Sequence, residues 1–359
     1  AAAAAAAQDA SAAAMAVVEP VAAIPTDAGA GVVGTADGGT VQSFINRLLS
    51  SAGSAVLGFI QAGAGAVMRS IQDELRVTIS VKQFGAKGDG STDDTAAIQK
   101  AVDYAQTIAG DYGAVIDFPA GDYVHGNVVI SLSGIMLRGH NRTRLLKNTT
   151  TGNGIEFKAP NYPSNPNARI YRCGMQGFLL GNALANGTAG ANVYFQNVQD
   201  ATVTGNKYGA YPFKPFTAFR FERCTNTTYT DVKGSDATGT GVVFQECGGI
   251  FGNSNTSNAC GVDGWEFDTC TGNYLKTIQG YGNTRYGAYI RSTISSSNIS
   301  DQSAYYLIES WDMDSNGSHN WSINDLHEST FTGCWGSSQT GATVDLAGFA
   351  IGGTSSDID

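Results

Sequence analysis

Hydrophobic and polar positions change their period along the chain. Between residues 41 and 76, Val41, Ile45, Leu48, Ala52, Val56, Phe59, Gly63, Val67, Ile71 and Leu75 recur at three- or four-residue steps. That spacing predicts helix with one apolar face. Gly53, Gly58, Gly63 and Gly65 interrupt it, each costing about 1 kcal/mol relative to Ala in an isolated helix. Small residues also let neighbouring chains approach closely, so the stretch reads as a helical neck, residues 41–80, packed against copies of itself. Leu48 to Met68 is near membrane-spanning length, but its Ser, Gly and Gln61 content argues against insertion. Residues 1–40 are Ala- and Gly-rich and read as a linker or attachment arm.

From residue 81 the pattern becomes mixed. A short strand ends at Phe84, a Gly- and Asp-rich turn follows, and Thr92 or Asp93 caps a helix through Ala97, Val102 and Ala105. The helix breaks at Gly110 and a strand follows at Ala114–Phe118. Asp89, Ser91 and Asp93 alternate as in a calcium loop. Lys100 stands where the closing carboxylate belongs, so the segment reads as a capped turn.

Beyond about residue 125, short strands alternate with Gly, Asn, Ser and Thr turns. Phe221-x-x-Cys224, Phe244-x-x-Cys247 and Phe267-x-x-Cys270 repeat every 23 residues, and Ile290 with Thr293 continues the series. Phe195 with Val198 precedes it by 26 residues, and Ile308 with Trp311 matches Phe331-x-x-Cys334 at 23. Such a period in strand-like text predicts coils of about three short strands stacked on one another. No coil buries its inward face alone, so like residues stack into ladders, Phe on Phe and Cys on Cys. The cysteines then serve as small buried hydrophobes. With no Cys-x-x-Cys pair and four scattered His, no metal or cofactor is expected.

Composition supports this picture. Gly accounts for 46 of 359 residues and charged residues for 14%, which disfavours a helical or disordered chain and, without a three-residue period, collagen. The net charge of −10 lacks the basic footprint that nucleic acid needs. The Ala-rich start shows neither a basic n-region nor a strong apolar core, so no secretory signal is expected.

Phe84-Gly85-Ala86-Lys87-Gly88-Asp89-Gly90-Ser91-Thr92-Asp93-Asp94-Thr95, followed by Phe118-Pro119-Ala120-Gly121-Asp122-Tyr123, resembles the N-terminal signature of the pectate-lyase-like, right-handed parallel β-helix family. Residues 63–76 just before it resemble the neck of bacteriophage tailspikes. The resemblance covers roughly residues 41–160 by motif and the remainder by repeat pattern. It implies an all-β solenoid over 81–359 and a homotrimer attached by its N-terminus to a phage tail or baseplate protein. It further implies a virion protein, made in the host cytoplasm, that binds and usually cleaves a bacterial surface polysaccharide. The sequence departs from the family in two ways. No C-terminal trimerisation domain is legible, with rungs expected to about Ala350 and a tail after it. The Asn-Thr-Asp and Arg-Ile-Lys signatures of plant-type galacturonases are missing.

A glycosidase needs two carboxylates roughly 5–9.5 Å apart. If the Phe ladder points inward, the next position points outward: Glu222, Gln245, Asp268, Arg291 and, if Ile308 continues the ladder, Glu309. Asp268 and Glu309 flanking Arg291 would then suit an inverting hydrolase, with Glu266 beside Asp268 on the same face and Arg291 holding a carboxylate or an acidic sugar. A second cluster, Glu309-Ser310-Trp311-Asp312-Met313-Asp314, sets acids beside an indole. Asp312 is a further catalytic candidate, and Trp311, Tyr289 and Asp314 are sugar-binding candidates. On an inward reading, Trp311 takes the Cys position instead. Arg285 and Arg291 near Tyr286 and Tyr289 keep a lyase open, since proton abstraction beside a uronate needs such a base. A non-catalytic tail adhesin and a secreted polysaccharide enzyme remain as alternatives.

Overall fold

A computed structural model describes residues 40–76, 78–110, 112–161, 164–165, 167–208, 213–293, 303–337, 349–352 and 356–358. The expected arm lies outside these residues, apart from Thr40. The chain divides into two compact units, residues 1–78 and 79–359.

In the first unit the helical pattern does not form one helix. Helices Val41–Leu49, Gly53–Val56 and Ile71–Arg76 are separated by a turn and by an antiparallel hairpin of Gly58–Phe59 with Arg69–Ser70. Thr40 opens the first helix with a capping box, its hydroxyl accepting from Ser43 N–H at 3.0 Å while Ser43 Oγ accepts from Thr40 N–H at 2.9 Å. Gly63 and Gly65 both take left-handed φ, +148° and +84°, so the apolar period cannot continue as helix through them. Among the described residues no helix is long and apolar enough to cross a membrane. Ile45, Leu49, Phe59, Val67, Met68 and Leu75 are exposed.

The second unit begins with a tightly bonded turn. Asp94 accepts the backbone N–H groups of Lys87 and Gly88 at 2.6 and 2.8 Å. Asp89 accepts those of Ser91 and Thr92, which holds its carboxyl well below the usual range, and Asp93 accepts that of Thr95 at 2.9 Å. Asp89 and Asp94 thus hold the turn, and of the three only Asp93 bonds an N–H of helix Thr95–Ile108, whose Ile98, Ala101, Val102 and Ala105 are buried. Gln99 on that helix bonds both the N–H and the C=O of Val129, at 2.9 and 3.1 Å. It thereby satisfies polar groups on the strand that ends one sheet.

The remainder is a right-handed parallel β-helix. Among the described residues, eighteen strands form a first sheet and nine form a second. The second runs Val128–Ile130, Ile155–Lys158, Ala191–Gln196, Thr217–Glu222, Val242–Gln245, Trp265–Asp268, Ala288–Arg291, Trp321–Asn324 and Phe349–Gly352. Its inward ladder is Phe157, Phe195, Phe221, Phe244, Phe267, Ile290 and Ile323 in register. The Phe rings stack with centroids 4.4 to 5.3 Å apart. Cys224, Cys247 and Cys270 are buried beside them, and burial pushes the Cys224 and Cys247 thiols up. The corner before each Cys is turned by one non-glycine residue at positive φ: Arg223, Glu246 and Thr269, at 55°, 51° and 56°. The glycines do other work. A Cβ on Gly264 would meet Gly287 O at 2.6 Å, so neighbouring rungs there touch backbone to backbone.

Three expectations fail. Ile308 does not continue the Phe ladder. Ile290 pairs with Ile323, 33 residues on, while Ile308 pairs with Leu275 and Phe331 in the first sheet. Ser303, not Thr293, follows Cys270, since Thr271 pairs with Ala304 and the Cys270 N–H bonds Ser303 Oγ. The additional residues fall in sequence between Thr293 and Ser303. Finally, the expected tail contains a strand, Ser356–Ile358, paired with Leu326–Thr332.

Candidate functional site

Four adjacent strands of the second sheet, from Thr217–Glu222 to Ala288–Arg291, present two outward rows. One is Arg220, Val243, Glu266 and Tyr289; the other is Glu222, Gln245, Asp268 and Arg291. Arg220, Val243, Gln245, Glu266, Asp268 and Arg291 of these rows floor a cavity of about 430 Å³, walled by Phe216, Val262 and Arg285 from the flanking corners.

The charged groups interlock. Arg291 donates through Nε and Nη2 to Glu266 Oε1 at 3.1 and 2.6 Å, and Nη2 also lies 3.3 Å from Asp268 Oδ2. Both carboxylates touch one nitrogen, so those two oxygens lie no more than about 6 Å apart, closer than the roughly 6.5–9.5 Å of an inverting pair. Asp268 is nearly inaccessible. It accepts from Thr293 N–H and Oγ1 at 3.0 and 2.9 Å and from Thr269 Oγ1 at 3.0 Å, and so ties the Thr293 corner and Arg291 together. Glu266 is the more accessible acid of the two. Arg285 forms a two-pronged pair with the buried Asp263, which holds the guanidinium above its usual range. Arg285 also lies over the rings of Tyr286 and Tyr289, at 4.8 and 5.0 Å, and Arg291 covers Tyr289 at 5.3 Å. Tyr289 is thus held between two guanidiniums. Arg220 donates to Gln245 Oε1 at 2.6 Å, and Glu222, 3.5 Å from Arg220, accepts from Tyr194 Oη at 2.7 Å.

Of the residues expected here, Glu266, Asp268, Arg291 and Tyr289 come together. Glu309 does not. It lies on Ser303–Glu309 of the first sheet, opposite Lys276, with Lys276 Nζ and Tyr274 Oη each 3.3 Å away. The proposed Asp268–Arg291–Glu309 ladder is therefore corrected to Glu266–Arg291–Asp268. Asp312 and Asp314 also belong to the first sheet, opposite Gln279 and Tyr281. Asp312 accepts from Tyr281 Oη, and burial together with this carboxylate pushes the phenol up to about 12. Trp311 is fully buried beside Phe267, 5.9 Å between centroids, so it fills the core and cannot stack on a sugar. Sequence reasoning missed Arg220 and Asp263. Arg220 was within reach, because the 23-residue period that aligned Phe221, Phe244 and Phe267 also aligns 220, 243, 266 and 289. Asp263 sits in a corner, where no alternation marks the side-chain direction.

The model of the family described as "Rhamnogalacturonase A/epimerase, pectate lyase-like" matches residues 78–258. Among curated proteins, the plasmin and fibronectin-binding protein A of Streptococcus pneumoniae is 39% identical over 97 residues, 27% of this chain and 12% of that protein. An Escherichia phage tail spike protein is 38% identical over 63 residues, 18% of this chain and 8% of that one. The chain thus spans only about a tenth of the length of these relatives. Among solved structures, a protein of Geobacillus virus E2 aligns with TM-score 0.55 at 16% identity, over 85% of this chain and 68% of that one. A mutant tailspike protein of E. coli bacteriophage HK620, in complex with a pentasaccharide, aligns with TM-score 0.61 at 13% identity, over 86% and 66%. At these identities the likeness shows the shared β-helix fold.

Proposed function

The chain belongs to the rhamnogalacturonase A/epimerase, pectate lyase-like family, and on that premise we propose that it is a phage tailspike whose groove binds and cleaves a bacterial surface polysaccharide, O-antigen or capsule, as an endo-glycosidase. The observation that carries this reading is the Glu266–Arg291–Asp268 constellation on the floor of an open cavity. Glu266 is the acid that reaches a bound sugar. Asp268, buried under its donors, is the second carboxylate and holds Arg291 in register. The two acids lie closer than the inverting arrangement expected from Asp268 and Glu309 requires, and Glu266 is the one solvent reaches. The exposed apolar residues of unit one suit the homotrimeric neck, with attachment to the tail or baseplate through the N-terminus and residence in the virion.

The test is incubation with purified bacterial surface polysaccharides. New reducing ends that disappear in Glu266→Gln support hydrolysis. A second reading, a polysaccharide lyase, is favoured by the Arg285–Tyr289–Arg291 stack, and ultraviolet absorbance from unsaturated uronate would select it. Tight binding without either product identifies an adhesin. Light scattering on the whole chain reports the trimer, and a monomer at micromolar concentration refutes the neck.

A further inference from the structure

Within the reading that the groove holds a polysaccharide, on which this inference rests, we propose that the end opposite Arg285 and Arg291 seats the acetamido group of an N-acetylated sugar. The wall of the groove is a corner that passes from rung to rung through Phe216, Gly239, Val262 and Arg285. From Gly239 onward each N–H bonds the carbonyl one rung before it, at 2.9 to 3.1 Å. Of these four only Arg285 is charged. A Cβ on Gly239 would come within 2.9 Å of the Phe216 ring, so the glycine leaves that ring its place on the wall. Val243 faces the same cavity from the floor, between Arg220 and Glu266 in its row. Phe216, Val243 and Val262 are half-buried and lie outside the sealed core. One end of the cavity is therefore apolar where the other is charged, and an apolar surface with a few fixed polar groups is the make-up of a small-ligand seat.

Those polar groups are two hydroxyls. Thr217 and Thr240 line this end, only 5% and 8% exposed. They stand one rung apart, since each precedes by two residues a member of the in-register pair Phe219–Val242. Among the described residues neither hydroxyl takes part in a hydrogen bond. A nearly buried hydroxyl is costly to leave unmet, and a ligand in the cavity can satisfy it. An acetamido group brings one carbonyl acceptor, one N–H donor and one methyl. A hydroxyl can donate to the first and accept from the second, and the apolar end takes the methyl. A 6-deoxy methyl would use the apolar wall and leave both hydroxyls unmet. A carboxylate or phosphate would lay charge against Phe216, Val243 and Val262.

The test is equilibrium binding of the whole chain to chitin oligosaccharides, hyaluronan, heparosan and chondroitin, each N-acetylated and in an N-formylated form that lacks only the methyl. α-Mannan, D-rhamnan and alginate, which hold no amide, complete the panel. At least one N-acetylated polymer should bind, and its N-formyl form about tenfold more weakly. Val243→Thr keeps the shape of the side chain and exchanges a methyl for a hydroxyl. It should bring the N-acetyl polymer down to the level of the N-formyl one, a change of preference that damage to the fold would not produce. Thr240→Val, the reverse exchange, should weaken both forms about fivefold. Equal binding of the two forms, a preference that survives Val243→Thr, unchanged affinity in Thr240→Val, or binding of amide-free polymers alone overturns the acetamido seat and leaves the polysaccharide reading standing. Binding of no polymer overturns both.

Discussion

The outward faces of the two sheets follow one construction rule with different results. On the second sheet, Arg220, Glu266, Asp268 and Arg291 stand on successive rungs, and each is held by a neighbour one rung away. On the first sheet, Lys276 and Glu309 also face each other across adjacent strands, but both are exposed, at 48% and 32%. Beside them Phe251, Tyr274 and Leu307 form an exposed row in register. An outward position on a β-helix does not make a carboxylate functional. Sinking the acid beneath its partner fixes it in one geometry, whereas an exposed pair is screened and contributes little.

The largest test of this contrast lies under the groove. Phe244→Ala removes a ring stacked between Phe221 and Phe267, 4.7 and 5.3 Å away. It should cost about 3–5 kcal/mol in chemical denaturation and abolish glycan binding along with it. Asp268→Asn should cost about 1.5–3 kcal/mol, because Thr293 and Thr269 lose a charged acceptor and Arg291 keeps only Glu266. A loss below about 1 kcal/mol would place Asp268 with the surface acids.

Glu266→Gln keeps the size and removes the charge. Turnover should fall at least about 100-fold with little change in denaturation midpoint, and a change under twofold would show that the groove acid is not catalytic. Acidity probes other first-sheet strands, Gly121–His125 and Ile135–Lys147. Burial holds His125 near pKa 4 in the folded state, against 6.5 when exposed. Between pH 6.5 and 4 the unfolded chain binds a proton that the folded chain refuses, so stability should drop as the pH is lowered through that window. His125→Gln should flatten that slope. Lys147, lowered by burial to about 8, acts in the alkaline window, where stability should rise between pH 8 and 10.5. Smallest of all, Glu309→Gln should change stability by less than about 1 kcal/mol and turnover by less than twofold. A larger loss of turnover would return the first sheet to the site.

Wherever coils were equal in length, the sequence carried the fold. The 23-residue recurrence of Phe221, Phe244, Phe267 and Ile290 placed four inward positions, and period-two alternation then turned Asp268 and Arg291 outward. Periodicity reports which face a side chain takes because strand geometry alternates with the backbone itself. It cannot report how many residues a corner takes up, since a corner's length is decided by contacts distant in sequence. Tertiary structure alone therefore sent Ile290 to Ile323 and moved Glu309 to the other sheet. It also buried Trp311 and set Arg285 across a corner from Asp263, with the guanidinium outermost.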